Sequence, residues 1–329
     1  MAPRVARLTG SFRRSAVSIG SLLSELLTSP QSALGTLIVL FFLTLAIFGS
    51  RIAPYAQNDQ SSAPRVVPTF SLGQIWRAIR NDPASLVDPD TYALGKHPFG
   101  TDYLGRDVFS RVVLGSASIF RVAGLGTLFA VILGTLLGLL IGYQGGWLDE
   151  IVSRLIDALL AMPALLITLV TLGVVNNLNF RAGSWQQRVA SNSVLIVIAL
   201  VYVPIVARVI RSVTLDVKTR TFVQAAQLRG ESRLYILLRE IFPSAVPVLV
   251  VEASLRFSYA IFLVAALGFL GVAARPPSPD WGLMVSENSG GLYPLAPWAM
   301  EFPAAAIAVL VIGVNLMSDG IKRAIQKGG

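Results

Sequence analysis

Six stretches of this sequence are apolar over lengths that approach or exceed the ~20 residues an α-helix needs to cross a bilayer. They run from Ala33 to Phe48, Val122 to Tyr143, Ile151 to Val175, Val194 to Ile210, Pro243 to Gly271 and Phe302 to Met317. In hydrocarbon every backbone polar group must be paired within the protein, so segments of this kind cross as helices. The predicted fold is therefore all-α, a polytopic membrane bundle with six transmembrane helices in one domain. Its orientation is read from the basic residues, which gather on the cytoplasmic side of membrane proteins. They cluster at Arg4, Arg7, Arg13 and Arg14, between the fourth and fifth runs, and at Lys322 and Arg323. Both termini are expected to be cytoplasmic. The first apolar run lies late and no A-x-A-like site comes after it, so it reads as a membrane helix and not as a signal peptide. Residues 1–30 form a cytoplasmic N-terminal segment, with the semi-amphipathic part from Ser15 to Ser29 along the inner membrane surface.

Composition narrows the chemistry. Charged residues make up 14% of the chain and hydrophobic ones 54%, with a mean hydropathy of +0.66; a soluble domain carries about 25% charged residues. The net charge of +9 would suggest nucleic acid in a soluble protein. Here it is accounted for by the cytoplasmic Lys/Arg excess and by anionic lipid, so no nucleic-acid partner is expected. There is no cysteine, and His97 is the one histidine, which removes thiolate chemistry and leaves no histidine-based metal site. No G-x-x-x-x-G-K-[ST] loop occurs. No catalytic, cofactor-binding or metal-binding residue is expected, and any ATP that drives the protein is bound by another chain.

The segment from 49 to 118 is too long for a turn. Its seven basic residues stand against six aspartates, a near balance that fits the external side. Leu72, Ile75, Trp76 and Ile79 share one helical face, which reads either as a cap over a pore or as an interfacial anchor. Farther on, Val108, Phe109, Val112 and Val113 oppose Arg106, Asp107, Ser110 and Arg111. This predicts an elbow helix, capped by Asp102 or Thr101, that turns the chain into the membrane.

Within the apolar runs a few residues stand out. Gly126, Ala130, Gly134, Gly138 and Gly142 recur every four residues and form a ridge on which another helix can pack closely. Arg154 and Asp157 are spaced to pair with each other, and Pro163 should kink its helix. Glu252 and Arg256, four apart, lie ~13 and ~20 Å beyond Pro243 at ~1.5 Å per residue. Charge at that depth is costly, so the two either face a water-filled path or another subunit, where they would line or gate that path, or satisfy each other at a helix interface.

The polar island between the fourth and fifth runs, Thr221 to Pro243, reads as ordered. Thr221 can cap a short helix through Phe222 to Leu228, and Gly230 can end it with a left-handed residue. Leu234, Leu237, Leu238 and Ile241 would face one side of a second helix, and Pro243 suits the first turn of the membrane helix beyond.

Gln224, Ala225, Ala226, Gly230 and Pro243 resemble the EAA loop of ABC-importer permeases, with Gln224 in place of the usual Glu and Phe242 where Leu is common. The run G-T-D-x-L-G-R-D-x-x-S-R from Gly100 to Arg111 is similar to the C-type permease of dipeptide and oligopeptide importers. Arg154, Asp157, Ala161 and Pro163, the segment Phe269 to Met284, and Asn315 to Gly320 match further motifs of that family. Many relatives carry a glutamate where this chain has Val264, so a role for that acid does not transfer.

The resemblance implies a type I ABC importer permease fold over residues 31–329. Residues 212–243 would form the cytoplasmic coupling loop, with Phe222, Val223, Gln224, Ala225, Ala226, Gly230 and Pro243 meeting the ATPase. It also implies a homologous second permease subunit, two cytoplasmic ATP-binding subunits that hold ATP and Mg, and an extracytoplasmic substrate-binding protein. The location it implies is a bacterial inner membrane, crossed several times. Relatives handle dipeptides, longer peptides, glutathione, nickel chelates and some sugars. The alternative is a secondary transporter that carries protons on Asp157 and Glu252.

Overall fold

Two long helices lie against each other with almost no side chain between them, and the remaining helices are arranged about that pair. The computed structural model describes residues 29–68, 97–178 and 183–328. Helix α1 is Pro30–Ile52 and α2 is Val108–Gln144. Then come α3 (Gly146–Leu160), α4 (Ala164–Asn177), the short α5 (Trp185–Ser191) and α6 (Ser193–Val217). The last four are α7 (Thr221–Leu228), α8 (Arg233–Phe269), α9 (Trp281–Glu287) and α10 (Trp298–Gly328).

The close pair is α2 and α6. A Cβ placed on Gly126 would meet Ile198, and one on Gly134 would meet Val206 and, at 2.9 Å, the Val203 carbonyl. On Gly138 it would stand 2.6 Å from the Ala207 carbonyl, and on Gly142 it would meet Thr214. Ala130 is buried on the same face. In lipid, contact of this kind holds helices together, because hydrophobicity does not distinguish a neighbour from a lipid tail. The α6 partners rise in number as the glycines do, so the two helices are parallel.

That parallelism decides the count of membrane crossings. The chain leaves α2 at one end of the bundle and starts α6 at the other, so it must cross back in between. Among the described residues five helices are long and apolar enough to span alone; α3 and α4 pass that test together and meet at 88°. The bent pair is the returning passage, which brings the spans among the described residues to six. Pro163 does more than kink this segment: it caps α4 from outside with an extended backbone (ψ 128°). Proline disfavours the helical region for the residue before it and cannot donate to the preceding turn.

Helix α1 begins at Ser29, whose side chain accepts the Ser32 N–H, with Pro30 in the first turn. It packs antiparallel on α10, where a Cβ on Gly35 would strike the Gly313 carbonyl and one on Gly313 would strike Ile38. The main apolar cluster joins α1, α2, α6, α8, α9 and α10, with the fully buried Trp281 of α9 within it. The Trp281 indole N–H donates to the Val112 carbonyl at 2.9 Å, and its ring meets Phe42 edge-on. The stretch after Phe269 therefore dips back into the bundle.

Several local expectations need correction. No separate elbow precedes the second span: α2 is continuous from Val108, with one wide π-turn at Phe120–Gly124. Its cap is Asp107, whose carboxylate accepts the Ser110 N–H at 2.7 Å, in place of Asp102 or Thr101. Arg154 pairs with Glu150 at 2.8 Å and not with Asp157, which pairs with Arg208 of α6. The fourth span continues to Val217, past the expected end at Ile210. The predicted helix around Leu72 to Ile79, and the segment from Ser15 to Thr28, lie outside the described residues.

Candidate functional site

Helix α7 is short, and most of what holds it comes from outside itself. It starts after Arg220, which supplies no side-chain cap, so Thr221 is its first residue and not its cap. At the other end Gly230 has φ +77°. The Gly230 N–H donates to Gln227 and the Glu231 N–H to Ala226, at 3.0 and 3.2 Å. This is the paired closure that a left-handed residue after a helix allows.

One side of α7 is fixed and the other is bare. Val223 and Ala226 are fully buried in a cluster with Leu139 of α2, Val206, Ile210 and Val217 of α6, and Ile236, Leu237, Ile241 and Ala245 of α8. Phe222 packs against this cluster from its edge. Gln224 and Ala225 are exposed, and Leu228 is 90% exposed, an apolar tip with nothing among the described residues packed over it. The Gln224 amide donates to the Thr219 carbonyl at 3.2 Å. A cavity of about 500 Å³ lies beside the helix, between Gln224, Gln227, Arg233 and the end of α2.

The start of α8 departs from the simple helical pattern. Residues Ile236–Ile241 form a π-turn, and the buried ones are Ile236, Leu237 and Ile241, while Leu234 and Leu238 are exposed. The predicted face is therefore half right. Pro243 lies in the next turn and Pro247 one turn later. A proline offers no N–H and crowds the carbonyl four residues back, and a wide turn just before it relieves that crowding.

Glu252 and Arg256 face each other on α8 and are largely buried. Their Oε1 and Nε atoms are 2.8 Å apart, yet the N–H is not aimed at the oxygen, so neither atom has a hydrogen-bond partner. The guanidinium lies over Tyr259 and Tyr202, at 5.0 and 6.0 Å from the ring centres. The pair is thus incompletely satisfied among the described residues. Asp157 lies elsewhere, half-exposed, with Arg208; nearby Asp149 receives Arg211 Nη2 at 2.7 Å. These two bridges tie α3 to α6.

A second polar centre has no counterpart in the sequence reading. At the end of the bundle opposite α7, Asp102, Arg106 and Arg111 are almost completely buried. Arg106 donates to Asp102 at 2.6 Å and to Glu287 at 2.8 Å; Arg111 donates to the same two carboxylates at 3.1 and 3.2 Å. Burial works against the Arg106 charge, but Asp102 and Glu287 hold its pKa above the ordinary value. His97 meets Asp107 at 2.9 Å and stacks on Tyr55. The four-residue spacing of Asp102 and Arg106 was the available signal; Glu287, 181 residues from Arg106, was beyond the reach of any local pattern. Among the described residues no group of three or more His, Asp or Glu could hold a metal ion.

Six helical passages, with a short helix seated on the bundle at one end, define the class: a polytopic, all-helical membrane protein. The family profile described as "Binding-protein-dependent transport system inner membrane component" matches residues 134–328, and the chain belongs to that family. It is 36% identical over 231 residues to the dipeptide transport system permease protein DppC of Alkalihalophilus pseudofirmus, covering 70% of this chain and 72% of that protein. It is 34% identical over 294 residues to the glutathione transport system permease protein GsiD of Escherichia coli O6:K15:H31, covering 88% and 84%. The GsiD of Pectobacterium atrosepticum is 35% identical over 230 residues, 70% of this chain and 72% of that protein. The protein is thus a multi-pass inner-membrane permease subunit of the ABC-importer kind. The secondary-transporter alternative finds no support in this kinship.

Proposed function

We propose that this chain forms half of the pathway of an ATP-driven importer for peptides or similar small solutes, and that α7 is where the ATPase engages it. The importer pairs it with a homologous permease, two cytoplasmic ATP-binding subunits that hold ATP and Mg, and an external binding protein. The chain breaks no bond itself. Its relatives' names, dipeptide and glutathione permeases, support the cargo class. Both termini lie on the cytoplasmic side, with α7.

The observation that carries the coupling role is the asymmetry of α7. Val223 and Ala226 seat it against the wide turn of α8, in an apolar cluster that also holds side chains of α2 and α6, while Leu228 and Ala225 stand bare. A push on the bare face is passed into three spanning helices at once, and the wide turn with Pro243 and Pro247 on α8 lets that helix bend. Closure of the ATPases would thereby bias two states of the bundle. The chain has no cysteine, so Leu228→Cys places one thiol on this subunit at the tip. In the assembled importer, a short bifunctional reagent should join it to an ATP-binding subunit. An adduct confined to external or lipid-embedded partners refutes the assignment.

A further inference from the structure

At the outer end of the bundle a cavity of about 170 Å³ lies between the wide turn of α2, the first turn of α6 and the chain linking α8 to α9. Two arginines line it, Arg121 from the wide turn and Arg275 from the linking chain. Arg121 is the sole charged residue between Val112 and Gln144. A cation in an otherwise apolar spanning helix is costly unless it meets water or an anion, and such residues mark solute paths. Among the described residues neither arginine forms an ion pair. The carboxylate on the wall, Asp280, is buried and accepts the Leu283 N–H at 3.0 Å as the cap of α9. Among the described residues the cavity thus presents positive charge with no exposed anion to answer it.

A second cavity, of about 500 Å³, opens beside the first and shares Ser191, Val194, Ala273 and Arg275 with it. It adds Asn176 and Gln187 to the lining; Asn176 Nδ2 donates to the Val272 carbonyl and Gln187 Oε1 accepts the Gly183 N–H, which leaves one amide atom of each, Asn176 Oδ1 and Gln187 Nε2, for a solute. Arg275 stands where the two meet. Guanidinium groups suit the planar oxygens of a carboxylate, and amides suit the peptide-like remainder of a small solute.

We infer that this double cavity is a site on the permease itself for the carboxylate end of the transported solute, held by Arg121 and Arg275. The inference rests on the importer reading for its cargo, and it gives the permease a share in selecting solutes that carry a free carboxylate. The site is a waystation between the external binding protein and the interior of the bundle.

Ser191→Cys puts a thiol on the wall shared by both cavities. In the assembled importer in phosphatidylcholine nanodiscs, a sulfonate-bearing methanethiosulfonate should label it about tenfold faster than a trimethylammonium-bearing one, as expected of a focused positive cleft. Arg121→Gln with Arg275→Gln should erase that ratio, and the corresponding double Lys variant should keep it; a ratio indifferent to the arginines overturns the site. Dialanine should slow the sulfonate reagent and dialanine amide should not. Slowing by added phosphatidylglycerol but not by dialanine would assign the arginines to lipid headgroups and sink the proposal. Uptake of dialanine and glutathione separates the site from the reading beneath it. Dialanine uptake unchanged by the double Gln variant overturns the site with the importer intact. Absent uptake of both solutes in the wild type, with protection by dialanine retained, overturns that cargo class and leaves the anion site standing.

Discussion

Glu287 accepts hydrogen bonds from Arg106 and Arg111 at 2.8 and 3.2 Å, and so joins the short helix α9 to the start of α2. Together with Asp102, the three form a charge-balanced cluster of two arginines and two carboxylates. Removing one member of such a buried cluster leaves charge without an answer, at a cost of about 3–5 kcal/mol. Glu287→Ala should therefore lower the thermal midpoint of the purified subunit assembly by several degrees. Glu150→Ala, which breaks an exposed pair with Arg154, should leave it where it is.

The seam between α2 and α6 should reject any side chain. Gly138→Val would drive a methyl group into the Ala207 carbonyl, 2.6 Å from where its Cβ must go. Backbone cannot yield as a flexible side chain can, so we expect poor membrane accumulation. Gly173→Ala, with nothing within 4 Å of the added carbon, should accumulate normally; immunoblots of the membrane fraction compare the two.

Gly230→Val tests the end of α7 without touching its packing. The position has φ +77° and open space around it, so the penalty is conformational and falls on the left-handed turn. Insertion and co-purification should persist, while ATP hydrolysis and uptake lose their proportion to each other. Ala225→Asp, on the exposed face, should have the same effect by a different route, through a charge at the contact. Normal coupling in both variants would count against α7.

Burial pushes the Asp280 carboxyl up to about 6, although the Leu283 and Gly282 N–H groups pull the other way. A raised acid binds its proton in the folded state where the unfolded chain has already released it. Its contribution to stability is therefore greatest below about pH 4 and is lost as pH rises to about 6, by at most about 3 kcal/mol. Asp280→Asn keeps an oxygen for the Leu283 N–H and carries no charge. Its stability relative to wild type should be higher at pH 7.5 than at pH 5, read as a difference in thermal midpoints.

Glu252 and Arg256 are tested by uptake at matched membrane expression. We expect Glu252→Gln and Arg256→Gln each to reduce transport several-fold, because each leaves the other charge buried with its hydrogen bonds still unmade. Undiminished uptake in both removes them from the pathway.

The spanning helices are legible because bilayer thickness writes itself into sequence as run length. Local geometry is less so, and for identifiable reasons. Helical-wheel spacing assumes a constant turn, and the wide turn at Ile236–Ile241 rotates the residues on either side of it relative to each other. That is why Ile236 is buried and Leu234 is not. Arg154 and Asp157 look like partners along one helix, but the right-angle break at Pro163 sets α3 against α6, where Arg208 competes successfully for Asp157. The buried cluster at the start of α2 depends on a contact between Arg106 and Glu287, and no periodicity reports contacts that far apart. Arg121 is silent in the sequence because a lone charge in a glycine-rich helix has no pattern; its meaning comes from the cavity it lines.

The glycine seam also limits how the bundle can move. With carbonyls of α6 standing 2.6 and 2.9 Å from where side chains on α2 would begin, those two helices have no slack to slide or roll against each other. They are in effect welded into a single plank. Any swing between open states must pivot around that plank, so spin labels placed one on each helix should report an unchanging separation while other helix pairs move.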